Sequence, residues 1–182
     1  MADALIRLAT AADAAAIAAI YAPYVTDTPV SFEEAAPDAA EMARRIAGDG
    51  RGLHPWLVAE DGGSVLGFAS SSPFRTRPAY RWSVETGVYL APGAQGRGLG
   101  RALMERMLEL LERQGFTSVV AGITLANEPS VALHEKLGFK PTATYRETGF
   151  KLGQWRTVQA FARDLAPRLN PPPELRRFSD CA

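Results

Sequence analysis

The stretch Val84-Glu85-Thr86-Gly87-Val88-Tyr89-Leu90-Ala91-Pro92-Gly93-Ala94-Gln95-Gly96-Arg97-Gly98-Leu99-Gly100-Arg101 decides the fold, because an apolar strand, a glycine-rich turn and a helix start follow one another without a gap. Gly96, Gly98 and Gly100 let the backbone approach a ligand closely, and a helix from Arg101 to about Gln114 presents unpaired N–H groups and a positive dipole end at the same place. Arg97 and Arg101 add full positive charge. That order builds a cradle for a pyrophosphate. Two familiar nucleotide signatures fail on spacing, since the run G-R-G-L-G-R has neither a Gly-Lys-Ser/Thr ending nor the G-x-G-x-x-G pattern of a dinucleotide turn. Taken alone, the stretch also fits an ordinary strand-to-helix turn.

Its context is more specific. Ser118 to Thr124 reads as a buried strand and leads into Leu125-Ala126-Asn127-Glu128-Pro129-Ser130-Val131-Ala132-Leu133-His134-Glu135-Lys136-Leu137-Gly138-Phe139. Asn127 is a helix cap, Pro129 fits the first turn, and Gly138 closes the short helix.

With both segments in view, the pattern Q-x-x-G-x-G over Gln95 to Gly100 resembles the acetyl-CoA signature of the GCN5-related N-acetyltransferases (GNAT), and the run N-x-x-S-x-x-L-H-E-K-L-G-F from Asn127 resembles that superfamily's last cofactor motif. Arg75 to Tyr89, with Pro55 to Glu60 and Gln114 to Ala121, resembles the phosphinothricin and methionine sulfoximine acetyltransferase branch. The similarity runs from about Ile6 to Asp164. It implies the GNAT fold, a mixed, mostly antiparallel sheet of six to seven strands with about four helices, splayed at the acetyl-CoA site. It also implies a homodimer.

Composition agrees with such a protein. At 182 residues the chain fits one domain that buries roughly 70% of its unfolded surface. Lys plus Arg and Asp plus Glu are both 20, so nothing suggests a nucleic-acid tract or a polybasic membrane patch, and small neutral-to-anionic partners fit better. The one cysteine, Cys181, allows no disulfide framework and no metal cluster, and a reducing cytoplasm is the expected compartment. The start, Met1-Ala2-Asp3-Ala4, lacks a basic targeting region, and no apolar run approaches the ~20 residues a bilayer requires.

Periodicity predicts a first strand over Leu5–Leu8, then a helix opened by a Thr10/Asp13 capping box and ended by Pro23. A second helix follows over Pro37–Ile46, and Asp61-Gly62-Gly63 turns a hairpin between strands Trp56–Glu60 and Val65–Ser71. Two last strands, near Thr142–Phe150 and Trp155–Asp164, complete a mixed sheet flanked by helices. The resemblance implies an acetyltransferase domain over residues 1–166. Residues 167–182, with Pro171-Pro172-Pro173, are expected to form an extended tail with little packing of its own.

Acetyl transfer from a thioester to an amine needs a base, a donor for the oxyanion and a proton for the departing thiolate. Glu85, a carboxylate in an otherwise apolar strand, is expensive there unless solvated, paired or used. The resemblance makes it the general base, against an outward-facing strand residue. A backbone N–H of Val88, Tyr89 or Leu90 is the expected oxyanion donor. His134 stands where many superfamily members carry a tyrosine that protonates the thiolate; the other reading is a helix-surface histidine. The resemblance assigns acetyl-CoA to Gln95, Gly96, Arg97, Gly98, Leu99, Gly100, Arg101, Asn127 and Ser130 together with Val88 to Leu90. It assigns a small amino-acid-like acceptor to Phe32, Arg75, Arg77 and Tyr80, two guanidinium groups and a phenol suiting its acidic end. Glu33 stands where relatives can carry a basic residue. No metal is implied. A protein N-terminus, a polyamine, or a non-catalytic acetyl-CoA sensor are the alternatives.

Overall fold

A computed structural model describes residues 4–181, so the acidic start over residues 1–3 lies outside the described residues. Seven strands form one sheet in the order β1-β2-β3-β4-β5-β7-β6: β1 (Leu5–Leu8), β2 (Trp56–Asp61), β3 (Ser64–Pro73), β4 (Ser83–Leu90), β5 (Ser118–Thr124), β6 (Lys140–Lys151) and β7 (Gln154–Asp164). All neighbours are antiparallel except β4 and β5. Four α-helices cover it: α1 (Ala14–Thr26), α2 (Ala39–Ala47), α3 (Leu99–Gln114) and α4 (Glu128–Lys136).

The sheet carries a core on each face. Leu103, Met104, Met107 and Leu111 of α3 pack on Leu57, Ala69, Val84 and Val119. On the other face Ile17, Ile20, Tyr21 and Val25 of α1, with Met42 of α2, pack on Val58 and Phe68. Each of these residues is under 9% exposed, and at roughly 1.5–3 kcal/mol for each large apolar side chain this burial holds the helices to the sheet.

Two expectations need correction. Pro23 does not end α1, which runs to Thr26 with the proline inside it. The one N–H that proline lacks is outweighed by burial of Ile20, Tyr21 and Val25 around it, since tertiary packing supplies most helix stability. Nor is the tail idle. Leu175 packs against the α3-side core and Cys181 is buried. The Trp82 indole donates to Pro173 O at 2.8 Å, and Gln114, fully buried, donates to Leu53 O and Arg176 O at 3.0 Å. Exposed main-chain polar groups on the tail thus find partners at the C-terminal end of α3.

One feature of the sheet opens the cleft. Parallel pairing of β4 with β5 covers only Ser83–Glu85 against Ser118–Val120 and then stops. Beyond it the two strands part, while β4 stays paired to β3 up to Leu90. Tight pairing there needs Gly67, where a Cβ would stand 2.4 Å from the Leu90 side chain.

Candidate active site

Where β4 and β5 part, a cleft of about 330 Å³ opens between their edges, the N-terminus of α3 and the face of α4. Strand alternation sets its chemistry. Ala91 N–H donates to Leu66 O at 2.9 Å, so odd-numbered residues of β4 direct their backbone groups to β3, and Thr86, Val88 and Leu90 direct theirs into the cleft. The Leu90 groups meet the Tyr24 hydroxyl, which donates to Leu90 O at 2.7 Å and accepts from Leu90 N–H at 3.4 Å. Tyr89 N–H faces β3 and drops out as an oxyanion donor, leaving Val88 and Leu90.

The glycine turn closes one end of the cleft. Gly96 (φ 75°) and Gly98 (φ 80°) hold left-handed backbone, which L side chains adopt at a cost, and Gly98 is the N-cap of α3. No side chain caps that end, so the first N–H groups of α3 point into the cleft. Gln95, Gly96, Gly98, Gly100 and Arg101 line it. Arg97 and Leu99 do not: the Arg97 guanidinium donates to Asp61 at 3.3 Å, and Leu99 is buried in the core.

Asn127, Ser130 and His134 line the opposite wall from α4. The Asn127 side chain caps the helix by accepting from Ser130 N–H at 3.4 Å. His134 is only 3% exposed, which removes the helix-surface reading. Its Nδ1 lies 2.8 Å from Ser130 O, and because a carbonyl only accepts, Nδ1 carries the proton. Nε2 is then a bare lone pair, buried and without a protein partner. Burial pushes the imidazole pKa below 6.5 more than the Ser130 carbonyl raises it, so the ring rests neutral at pH 7.

Glu85 belongs to the other face of the sheet. Its carboxylate lies over Gly122 of β5, 3.5 Å from where a Cβ there would stand. Burial pushes its pKa up from the ordinary carboxylate value, and Arg75 pulls it partly back. Ser72 and Ser70 of β3 are the cross-strand partners of Glu85 and Gly87, and they line a second hollow of about 370 Å³ floored by Trp56, Phe68 and Tyr89. Tyr89 lines both hollows. A groove of about 560 Å³ behind α3, lined by Glu105, Glu109, Lys136 and Arg163, touches none of these residues.

Of the expected acceptor residues, Arg75 bears on Glu85 through its charge. Arg75 stands in the loop before β4 with its guanidinium 4.9 Å over the Phe74 ring. Arg77 caps a single 3-10 turn over Pro78–Tyr80, and Tyr80 meets the Phe74 ring edge-on at 5.8 Å. Phe32, in the loop between α1 and α2, lies against Gly149 of β6. Glu33 turns away from any acceptor: Arg45 and the Tyr21 hydroxyl bind its carboxylate, and the guanidinium holds its pKa below the usual range.

Sequence reading passed over Thr86, whose hydroxyl is buried without a partner in the cleft, and Tyr24, whose hydroxyl occupies the Leu90 backbone. The period-2 pattern of β4 exposes Thr86 as the one polar residue on the Val84/Val88 face; no sequence signal marks Tyr24. Among the described residues no cluster of three His, Cys, Asp or Glu is placed to hold a metal, and no helix is long and apolar enough to cross a membrane.

Comparison with known proteins bears on this geometry. The chain is 41% identical over 167 residues to a phosphinothricin N-acetyltransferase of Streptomyces viridochromogenes, covering 88% of this chain and 87% of that one. It is 38% identical over 155 residues to an L-methionine sulfoximine/L-methionine sulfone acetyltransferase of Salmonella typhimurium, covering 82% and 88%. The crystal structure of a GNAT superfamily phosphinothricin acetyltransferase from Sinorhizobium meliloti in complex with acetyl-CoA superposes with a TM-score of 0.86 at 39% identity, covering 90% of this chain and 89% of that one. Residues 17–139, which hold the splayed strands, the glycine turn and α4, match the acetyltransferase (GNAT) family, and the chain belongs to that family of N-acetyltransferases.

Proposed function

We propose that the protein transfers an acetyl group from acetyl-CoA directly to the α-amino group of a small amino-acid analogue of the phosphinothricin or methionine sulfoximine/sulfone kind, with both substrates bound together. The observation that carries it is Glu85, a carboxyl with a raised pKa at the last residue pair before β4 leaves β5, lying over Gly122, which lines the cleft. The named activities of the relatives support the acceptor class.

The cleft suits acetyl-CoA. Its glycine turn leaves room for a diphosphate at the positive end of α3, and at Val88, past the end of the β4–β5 pairing, β4 offers a free strand edge to the pantetheine amides. Val88 N–H, which no side chain occupies, is the better placed of the two oxyanion donors, a position worth roughly 3–4 kcal/mol. Glu85 takes the proton of the incoming ammonium, directly or through water, and frees the lone pair that attacks the thioester carbon. His134 rests unprotonated at Nε2, so it delivers a proton to the departing sulfur only after taking one, and the source is the nitrogen that has just bonded to the acetyl carbon. The cycle then consumes no proton from solvent and releases one, when Glu85 gives up the proton it took from the ammonium. Cys181 is buried at the far end of α3 and forms no acyl-enzyme.

The protein works in the cytoplasm as a homodimer in this reading. The β6–β7 hairpin supports the second point, since Tyr145, Phe150, Leu152 and Trp155 on it are all 45–62% exposed, more apolar surface than a lone hairpin ordinarily leaves in water. Release of free thiol from acetyl-CoA, measured against phosphinothricin, methionine sulfoximine, methionine sulfone, spermidine and a peptide N-terminus, tests the reading. Turnover of the first three is expected; turnover of only spermidine or peptide refutes the acceptor class.

A further inference from the structure

Phe32 is one of the residues that the family resemblance assigns to the acceptor, and it sits in a loop without regular structure between α1 and α2. The residues on either side of it are held with unusual completeness. Lys151, the last residue of β6, is 8% exposed although its hairpin neighbours Phe150 and Leu152 are 59% and 50% exposed. A lysine at a hairpin end ordinarily extends its ammonium into water. This one turns inward and donates to Ser31 O and, at 2.7 Å, to Glu33 O, the carbonyls one residue before and one after Phe32. Burial lowers the pKa of this ammonium, the nearby Glu33 and Glu34 carboxylates pull it only partly back, and the two carbonyls replace water around the charge.

The same two loop residues are tied from the opposite side. Ser31 Oγ lies 2.7 Å from the Tyr21 hydroxyl, which donates to Glu33 Oε1 at 3.0 Å. Arg45 of α2 holds both Glu33 oxygens at 2.8 and 2.9 Å. With its flanks fixed, Phe32 meets Gly149: a Cβ at that glycine would stand 2.1 Å from Phe32 Cε2, so the ring rests on bare backbone. A register shift between Tyr145 and Gly149, with Glu147 at φ 48°, sits immediately before that contact in β6.

We propose that Lys151 and Gly149 are positioning residues of the acceptor site, which set the place of the Phe32 ring from the β6–β7 hairpin. The inference rests on the proposed acetyl transfer to an amino-acid-like acceptor and on the assignment of Phe32 to that acceptor. A ring held at fixed height limits the acceptor side chains that fit beneath it, and releasing it loosens acceptor binding without touching the cleft.

The test is steady-state thiol release with methionine sulfone and acetyl-CoA varied separately, in wild type, Lys151→Met, Phe32→Ala and the double variant. Lys151→Met is expected to raise the acceptor KM about tenfold and to leave the acetyl-CoA KM within about twofold. In the Phe32→Ala background the same substitution should change the acceptor KM less than about twofold, because its effect runs through the ring. Equal rises in both KM values, or full additivity in the double variant, would overturn the proposal. Where Lys151→Met does not fold, Gly149→Ala displaces the same ring with the ammonium in place and should raise the same KM alone. Amide hydrogen exchange at residues 31–34, measured without acceptor, reads the tie itself: exchange at least about tenfold faster in Lys151→Met supports it, and unchanged exchange overturns it. A wild-type enzyme silent toward every amino-acid analogue, with exchange still responding to Lys151→Met, would refute the acceptor class and uphold the tie.

Discussion

Glu85→Gln keeps the size and shape of the side chain over Gly122 and removes its ability to take a proton. An α-amino group with a pKa near 8 is only about one-tenth neutral at pH 7, and a placed base contributes typically ~10²–10⁴ in rate. Turnover should therefore fall at least ~100-fold, about 3 kcal/mol or more of barrier. Because burial raises the Glu85 pKa, wild-type activity should decline with acid through a midpoint above the ordinary carboxylate value, and the variant should lack that limb. Stability supplies a second sign. A carboxyl with a higher pKa folded than unfolded binds protons on folding, so wild-type stability falls as pH rises from the unfolded pKa through the folded one. The Gln variant escapes this and should melt at a higher temperature than wild type at pH 7, with the two converging below the unfolded pKa. Thiol release from acetyl-CoA between pH 5 and 9, paired with thermal melts at pH 4 and 7, measures both. Near-normal turnover at pH 7, or an acid limb that persists in the variant, would remove Glu85 from the role of base.

Arg75→Gln removes the charge that lowers the Glu85 pKa, so the acid limb of turnover should move to higher pH; a limb that stays or moves down refutes that coupling. His134→Phe preserves the edge-to-face packing on Phe139, 5.0 Å between centroids, and deletes the Nε2 lone pair. Turnover should drop about ten- to a hundredfold with the acetyl-CoA KM little changed, and unaltered turnover would exclude proton transfer through this ring. Gln114→Leu leaves Leu53 O and Arg176 O without their donor and should cost about 1–3 kcal/mol, read as a melting temperature lower by several degrees, with turnover per folded molecule intact.

Most of the scaffold was legible in the chain because its signals are local. The Asp61-Gly62-Gly63 turn, the Asn127 cap and the positive-φ glycines before α3 each express a backbone preference within a few residues. Both walls of the cleft followed from two such segments, and most of the residues expected around acetyl-CoA line it. Arg97 and Leu99 do not, since a sequence shows that a residue belongs to a turn and not which way its side chain leaves it. The residues expected around an acceptor were harder. Phe32 and Arg75 lie on loops whose course is set by distant partners, and the Glu33 carboxylate is engaged by Arg45, twelve residues on.

The strand–glycine turn–helix cradle, the capped helix after β5 and the order of the elements are written in the chain locally, because φ preference, capping and hydrophobic period act between near neighbours. Long-range packing settles that α1 continues past Pro23, that the tail closes over Gln114, that β4 and β5 part after three residue pairs, that His134 rests with Nε2 bare, and that Lys151 bonds the carbonyls beside Phe32. Each of those outcomes is a contest between desolvation and a partner supplied by another part of the chain. The partner is known only once the chain has folded.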